Sequence, residues 1–293
     1  MSINSPGKYE ISYSIAKCLF QIIIMHRTMK YSMFVVINLA MVFFVTAEPM
    51  LGDANYPTRA VTSRHEEKVK QVKSGNFDLV LIGDSIIHSI GELDGKYSPN
   101  KEVWNRFLKP LNAINLGMDG QRTENILWNL HNGQLEFTKS PKVVTLLIGT
   151  NNTDDRRFKH VHTAEQVFEG TKAIVELVRQ RHPTTKILVL RIFPRGGDDQ
   201  KGVSPPAFNS SPQCIKTAHR AGELTANLAD GQHVFWLDLN HIFLEADGTI
   251  NTELMWDLLH PSPAGTKAWI QAVEPTLVKL LGDGYQRGST KPK

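Results

Sequence analysis

Apolar residues along this chain concentrate in short, largely continuous runs, each closed by a residue that ends a strand. Leu79–Ile82 ends at Gly83, Leu111–Leu116 at Gly117, and Val143–Ile148 at Gly149. Lys186–Phe193 ends at Pro194, and His233–Leu237 at Asp238. Largely continuous runs of this length suit strands covered on both faces, as in parallel sheets. Helical spacing lies between them. Ala164, Val167, Phe168, Ile174, Val175 and Val178 recur at three- and four-residue steps within 163–181, with charged residues between. Thr163 with Gln166 forms a capping box at its start. Ser262 and Pro263 open a last helix as N-cap and first residue. The charged stretch 63–73 reads as a surface helix after an irregular lead-in from residue 48.

Strand and helix in alternation predict an α/β fold with a central five-stranded parallel sheet. No repeat or low-complexity linker divides 76–282, so that span is expected to be one domain, with 283–293 as a tail.

The N-terminus breaks the pattern. Arg27 and Lys30 precede an apolar run from Met33 to Val45, which Val45-Thr46-Ala47 closes before Glu48-Pro49. A positive flank, a short apolar core and a small residue before a polar start make the pattern of an export signal. Residues 1–47 are therefore expected to be a signal segment cleaved near Ala47, with translation starting at Met29 or Met25. The alternative is an uncleaved segment that anchors the chain to a membrane. Removing residues 1–47 lowers the formal net charge from +4 to +1. No dense basic stripe remains, which argues against a nucleic-acid partner. The two cysteines, Cys18 and Cys214, fall on either side of the cleavage point, so the mature chain has no internal disulfide.

In parallel α/β sheets functional groups lie beyond the carboxyl ends of the strands. Gly83-Asp84-Ser85 follows the first strand, Gly117 to Gly120 the second, and Gly149 to Asn152 the third. Asp257 and His260 lie between the fifth strand and the last helix. A serine at a strand-to-helix turn stands among free backbone N–H groups. It is a poor nucleophile until a base takes its proton. His260 is the candidate base, and Asp257, three residues earlier, is placed to fix its tautomer. The Ser85 and Gly120 N–H groups and the Asn151 side chain are candidate donors to an oxyanion.

These four segments resemble the blocks of the SGNH (GDSL-type) hydrolase family, with Ile86 where the family usually has Leu. A closer resemblance, from about Arg59 to Leu281, is to the subfamily of catalytic subunits of brain-type platelet-activating-factor acetylhydrolase. It rests on Asn115–Gly120, Leu127-Trp128, Asn132–Glu136, Gly149–Asn152, His162–Val167, Pro194-Arg195-Gly196 and Asp247–Ile250. The resemblance implies a three-layer flavodoxin-like fold and a metal-free, cofactor-free serine esterase that forms homodimers. It implies Ser85, Asp257 and His260 as the catalytic residues and Ser85, Gly120 and Asn151 as the oxyanion hole. It also places Ile86, Thr150 and Leu259 around the acyl group. Their bulk predicts a preference for acetyl. Lipid and polysaccharide acetyl esters both remain open as substrates, and a non-catalytic binding module is the third reading.

The chain departs from that subfamily at Asp119, in place of a small glycine, and at two insertions, Thr153–Val161 and Gly197–Gln213. The first carries Arg156, Arg157, Lys159 and His160, with His162 directly after it, against Asp154 and Asp155. It reads as a solvated loop, with an anion-binding rim as the alternative. His160 and His162 lack a visible third ligand for a metal. Asn151 and Asn209 match glycosylation acceptors, the former by accident if Asn151 lines the site. Of the five tryptophans, Trp256 beside Asp257 is the candidate substrate platform.

Overall fold

The computed structural model describes residues 52–60, 62–91, 99–197, 200 and 208–285. The export-signal and anchor readings fall outside these residues. So do most of the tail and the core of the second insertion.

The described strands are β1 (Leu79–Gly83), β2 (Ala113–Asn115), β3 (Val143–Leu147), β4 (Lys186–Leu190) and β5 (Val234–Leu237). They form one sheet in the order β2-β1-β3-β4-β5, and every pairing is parallel. The helices that matter here are α1 (Ser63–Ser74), α2 (Ser85–Gly91), α3 (Thr123–Asn129), α4 (Ala164–Arg181), α5 (Pro212–Leu224) and α6 (Pro263–Leu281).

The apolar runs find their reason in two cores. Leu79, Leu81, Val143, Leu147, Leu188 and Leu190 pack with Ile86, Ile87 and Ile90 of α2 and with Trp269, Ile270, Val273 and Leu277 of α6. The intervening residues Val80, Ile82, Val144, Leu146, Ile187 and Val189 pack with Ile126 and Leu127 of α3 and with Ile174, Val175 and Val178 of α4. Period-two alternation thus divides β1, β3 and β4 between two helical layers, and the central strands β1 and β3 are buried on both faces. The result is the expected three-layer α/β architecture.

Both helix starts follow the expected chemistry. Thr163 Oγ1 accepts from the Gln166 N–H at 3.2 Å, and Gln166 Oε1 accepts from the Thr163 N–H at 2.9 Å. Ser262 Oγ accepts from the Gly265 N–H at 3.1 Å. Each such cap contributes about 1 kcal/mol.

Strand ends differ from the sequence expectation. Leu111 lies in a tight turn, and Asn112 reverses the chain with φ +52°, so β2 begins only at Ala113. β4 ends at Leu190, while Ile192 and Phe193 stay buried as irregular backbone. The helix at 63–74 is less superficial than its charge suggests: His65, Lys68 and Val72 are buried, and Val72 joins the core with α3 and α4.

The order 2-1-3-4-5 reverses direction between β1 and β3. A crevice opens at such a switch point, outside the carboxyl ends of the two strands. The segments that follow β1 and β3 are those of Ser85 and Asn151.

Candidate active site

Ser85 is the first residue of α2, two residues past the end of β1. The turn depends on Gly83. A Cβ there would lie 2.3 Å from the Leu147 carbonyl oxygen of β3 and 2.5 Å from Ile87 Cγ1. No side chain fits between β3 and the first turn of α2, so this close packing fixes where Ser85 stands. Met118 N–H donates to the Gly83 carbonyl at 2.9 Å, which ties the loop after β2 to the same turn.

Ser85 Oγ lies 2.9 Å from His260 Nε2, and His260 Nδ1 lies 2.7 Å from Asp257 Oδ2. Asp257 is fully buried, and its other oxygen accepts from the backbone N–H groups of His260 at 2.6 Å and Leu259 at 3.1 Å. One carboxylate therefore shapes the backbone of its own loop and orients the imidazole. Leu258, between them, takes φ +66°. A non-glycine residue there costs roughly 1 kcal/mol. The buried Leu258 side chain, the carboxylate turn and the Gly196 N–H bond to the Leu258 carbonyl at 3.0 Å hold it. Phe208 covers the imidazole edge-on, with ring centroids 5.0 Å apart, and its N–H donates to the Asp257 carbonyl at 2.7 Å.

Gly120 has φ +71°, the left-handed region that glycine occupies without cost. Among the described residues, neither its N–H nor that of Ser85 has an acceptor within the protein. Asn151 is fully buried, and one amide N–H donates to the Gln121 carbonyl at 2.9 Å. That bond sets the amide orientation and leaves the second N–H uncommitted. Burial of Asn151 also closes its glycosylation match. Ile86, Thr150 and Leu259 are all buried, and Thr150 Oγ1 accepts from Arg195 Nη1 at 3.1 Å. The structure thus joins Ser85, His260 and Asp257 by hydrogen bonds. It places Gly120 and Asn151 on the loops after β2 and β3.

Two supporting features lie in quoted motifs but gain their roles only from the fold. Arg195 is buried and bonds Asp154 Oδ2 at 2.9 Å, the Thr150 carbonyl at 3.0 Å and Ser210 Oγ at 2.7 Å. It thereby clamps the loop that carries Asn151 to the segment that carries Phe208. This corrects the solvated-loop reading for Asp154: it is buried and spent on Arg195, so it does not balance the insertion's exposed cations. Breaking such a buried pair from one side typically costs 3–5 kcal/mol. His162 is likewise committed. Its Nδ1 meets Arg122 and, at 3.1 Å, Asn152 Nδ2, while Nε2 meets the Gly52 carbonyl at 2.5 Å. Among the described residues no three His, Cys, Asp or Glu side chains gather to hold a metal.

Asp84 is the second feature. Its carboxylate is buried beside the site and accepts one backbone bond, from Ile86 at 3.0 Å. Loss of hydration outweighs that bond and the nearby His260 and Arg195, and pushes its pKa from 3.8 to about 6. The folded state therefore holds this proton more tightly than the unfolded chain. Stability declines as pH rises from about 4 to about 6 and stays lower above that range. Asp84→Asn keeps an acceptor for Ile86 and carries no charge. It is expected to stabilise the protein at pH 8 by about 3 kcal/mol and to change little below pH 4. Denaturant titrations at both pH values check this, and an equal effect at both rejects it.

Residues 81–268 match the GDSL-like lipase/acylhydrolase family. The chain is 34% identical over 229 residues to platelet-activating factor acetylhydrolase IB subunit alpha1 of Homo sapiens, covering 78% of this chain and 87% of that one. It is 32% identical over 244 residues to subunit alpha2 of Mus musculus, covering 83% and 93%. Among solved structures, a GDSL-like lipase from Bacteroides thetaiotaomicron superposes with a TM-score of 0.55 at 13% identity, covering 73% of this chain and 94% of that one. An acetyl xylan esterase superposes with a TM-score of 0.53 at 17% identity, covering 68% and 100%. These two likenesses concern the fold. The chain belongs to the GDSL-like lipase/acylhydrolase (SGNH) family and is a carboxylic ester hydrolase.

Proposed function

We propose that the protein is an exported serine esterase that removes acetyl groups through an acyl-enzyme. The observation that carries this reading is the unbroken chain of hydrogen bonds from Ser85 through His260 to Asp257 at 2.9 and 2.7 Å.

Ser85 Oγ attacks the ester carbonyl while His260 Nε2 takes its proton. Asp257 stabilises the imidazolium at Nδ1. The carbonyl oxygen becomes an oxyanion, which accepts from the Ser85 and Gly120 N–H groups and the free N–H of Asn151. The tetrahedral intermediate collapses, the C–O bond to the alcohol breaks, and His260 gives its proton to the departing oxygen. Water then attacks the acyl-serine, with His260 again as base, and acetate leaves. Ile86, Thr150 and Leu259 crowd the acyl side, and Arg195 holds the Thr150 hydroxyl in place. These buried contacts support a small acyl group.

A carbohydrate ester is a second reading, favoured by Trp256. This indole is 53% exposed next to Asp257 in the chain, where it would serve as a stacking face for a sugar ring.

The test is turnover of nitrophenyl esters with lengthening acyl chains. The acetyl ester is expected to have the highest kcat/KM, falling at least about tenfold by butyryl. That fall corresponds to about 1.4 kcal/mol of steric exclusion. Activity that rises with chain length would reject the acetyl preference and leave the Ser85 assignment intact.

A further inference from the structure

The first insertion brings a cation to the mouth of the site. Arg157 Nη2 lies 3.7 Å from where a Cβ on Gly120 would stand. Its guanidinium carbon sits 5.4 Å from the centroid of Phe208, the same ring that meets the His260 imidazole at 5.0 Å. Arg157 and His260 thus rest against one phenyl ring, and Arg157 borders the proposed oxyanion-hole glycine as well.

This placement has a built support on both sides. Asp154 Oδ1 accepts from the Arg157 backbone N–H at 3.1 Å, and Asp154 Oδ2 is held by the buried Arg195 at 2.9 Å. Phe208 is anchored through its own N–H to the Asp257 carbonyl at 2.7 Å. The Arg157 side chain nevertheless stays exposed, and among the described residues no carboxylate pairs with its guanidinium. An arginine oriented by an aromatic face, with its five donors unspent, matches a carboxylate, sulfate or phosphate group. Asp119, exposed beside Gly120 in the chain, and Asp155, exposed two residues before Arg157, are acids that oppose such a ligand.

We propose that Arg157 is a specificity-determining residue. It recognises an anionic group on the alcohol side of the ester, within a few bonds of the ester oxygen. Ile86, Thr150 and Leu259, assigned above to the acyl side, are all buried, whereas Arg157 is exposed, so the alcohol side is the part of the ester left for it to meet. The proposal rests on the esterase reading above. A sugar acid and a phosphorylated glycerol both supply the anion, and the two are separable by experiment.

The test compares phenyl acetate with 3-acetoxybenzoate and 4-acetoxybenzenesulfonate on the whole protein, Arg157→Gln and Arg157→Lys. The readout is the ratio of kcat/KM for each anionic ester to that for phenyl acetate. In Arg157→Gln this ratio is expected to fall about tenfold, as for loss of one charge-assisted hydrogen bond. Arg157→Lys is expected to recover much of the ratio, and rising salt to lower it in the wild type and not in Arg157→Gln. A ratio unchanged in Arg157→Gln, or no salt dependence in the wild type, overturns the proposal. Lack of Ser85-dependent phenyl acetate hydrolysis by the wild type is a different result, because it rejects the esterase reading itself. An acetylated glycerol phosphate and an acetylated galacturonate then separate the sources. The one whose kcat/KM depends more on Arg157 supplies the anion, and dependence in neither overturns the proposal.

Discussion

Ser85→Ala is expected to lower kcat on the acetyl ester by about 10⁴- to 10⁶-fold, with thermal stability almost unchanged. The size follows from what the hydroxyl does. Its loss removes the atom that would form the acyl-enzyme, so only direct attack by water remains. The oxyanion donors at Gly120 and Asn151 stay in place and leave a residual acceleration over bulk water. The small effect on stability follows from the surroundings. Among the described residues Ser85 Oγ has one protein partner, His260 Nε2, and the imidazole, about 20% exposed, replaces that bond with water. The Gly83 packing that sets the turn does not involve the hydroxyl. Initial rates, a melting curve and labelling with an organophosphonate check the expectation together. Wild-type protein should take one adduct and the variant none. Full turnover by Ser85→Ala would reject the nucleophile and return the site to a binding role.

Much of this site was legible because each of its parts is local in sequence. A strand covered on both faces must be apolar throughout, and the next residue must leave the sheet, so the run and its terminator mark one place. Ser85, Gly120 and Asn151 each stand within a few residues of such a terminator, and Asp257 and His260 share a single turn. What the sequence left hidden acts across distance. Arg195 meets Asp154 from 41 residues away, and nothing in either neighbourhood signals a buried pair. Charged residues are ordinarily solvated, so Asp154 reads as one more loop acid until the fold buries it. Phe208 stands in a Pro- and Ser-rich insertion, yet it packs on an imidazole 52 positions onward, through a backbone bond that no side-chain pattern encodes. The strand ends failed for a related reason. Burial continues past the last ladder bond of β4, so Ile192 and Phe193 look like strand while their backbone serves the loop.

Asp257→Asn is expected to lower kcat by about 10⁴-fold while leaving the fold and much of KM intact. The substitution changes one atom, and the structure shows why that atom matters. Asp257 Oδ1 accepts from Leu259 and His260, and an asparagine oxygen in the same place accepts both bonds. The loop, including Leu258 at φ +66°, therefore has no reason to move. The amide nitrogen then falls at the position of Oδ2, 2.7 Å from His260 Nδ1. A donor there forces Nδ1 to accept, and the ring proton moves to Nε2, the nitrogen that faces Ser85. In that tautomer His260 no longer accepts the serine proton. The imidazolium formed during attack also loses its counter-charge in a fully buried position. Geometry is kept and proton chemistry is lost, so the variant separates two roles that Ser85→Ala cannot. Asp257→Ala is the contrasting control. It strands the Leu259 and His260 N–H groups and should also destabilise the protein by about 1–3 kcal/mol for each buried donor left unpaired. Rates and melting curves for both variants decide the matter. An Asn variant that keeps wild-type kcat would mean that Asp257 only shapes the loop, and that His260 needs no partner at Nδ1 to serve as base.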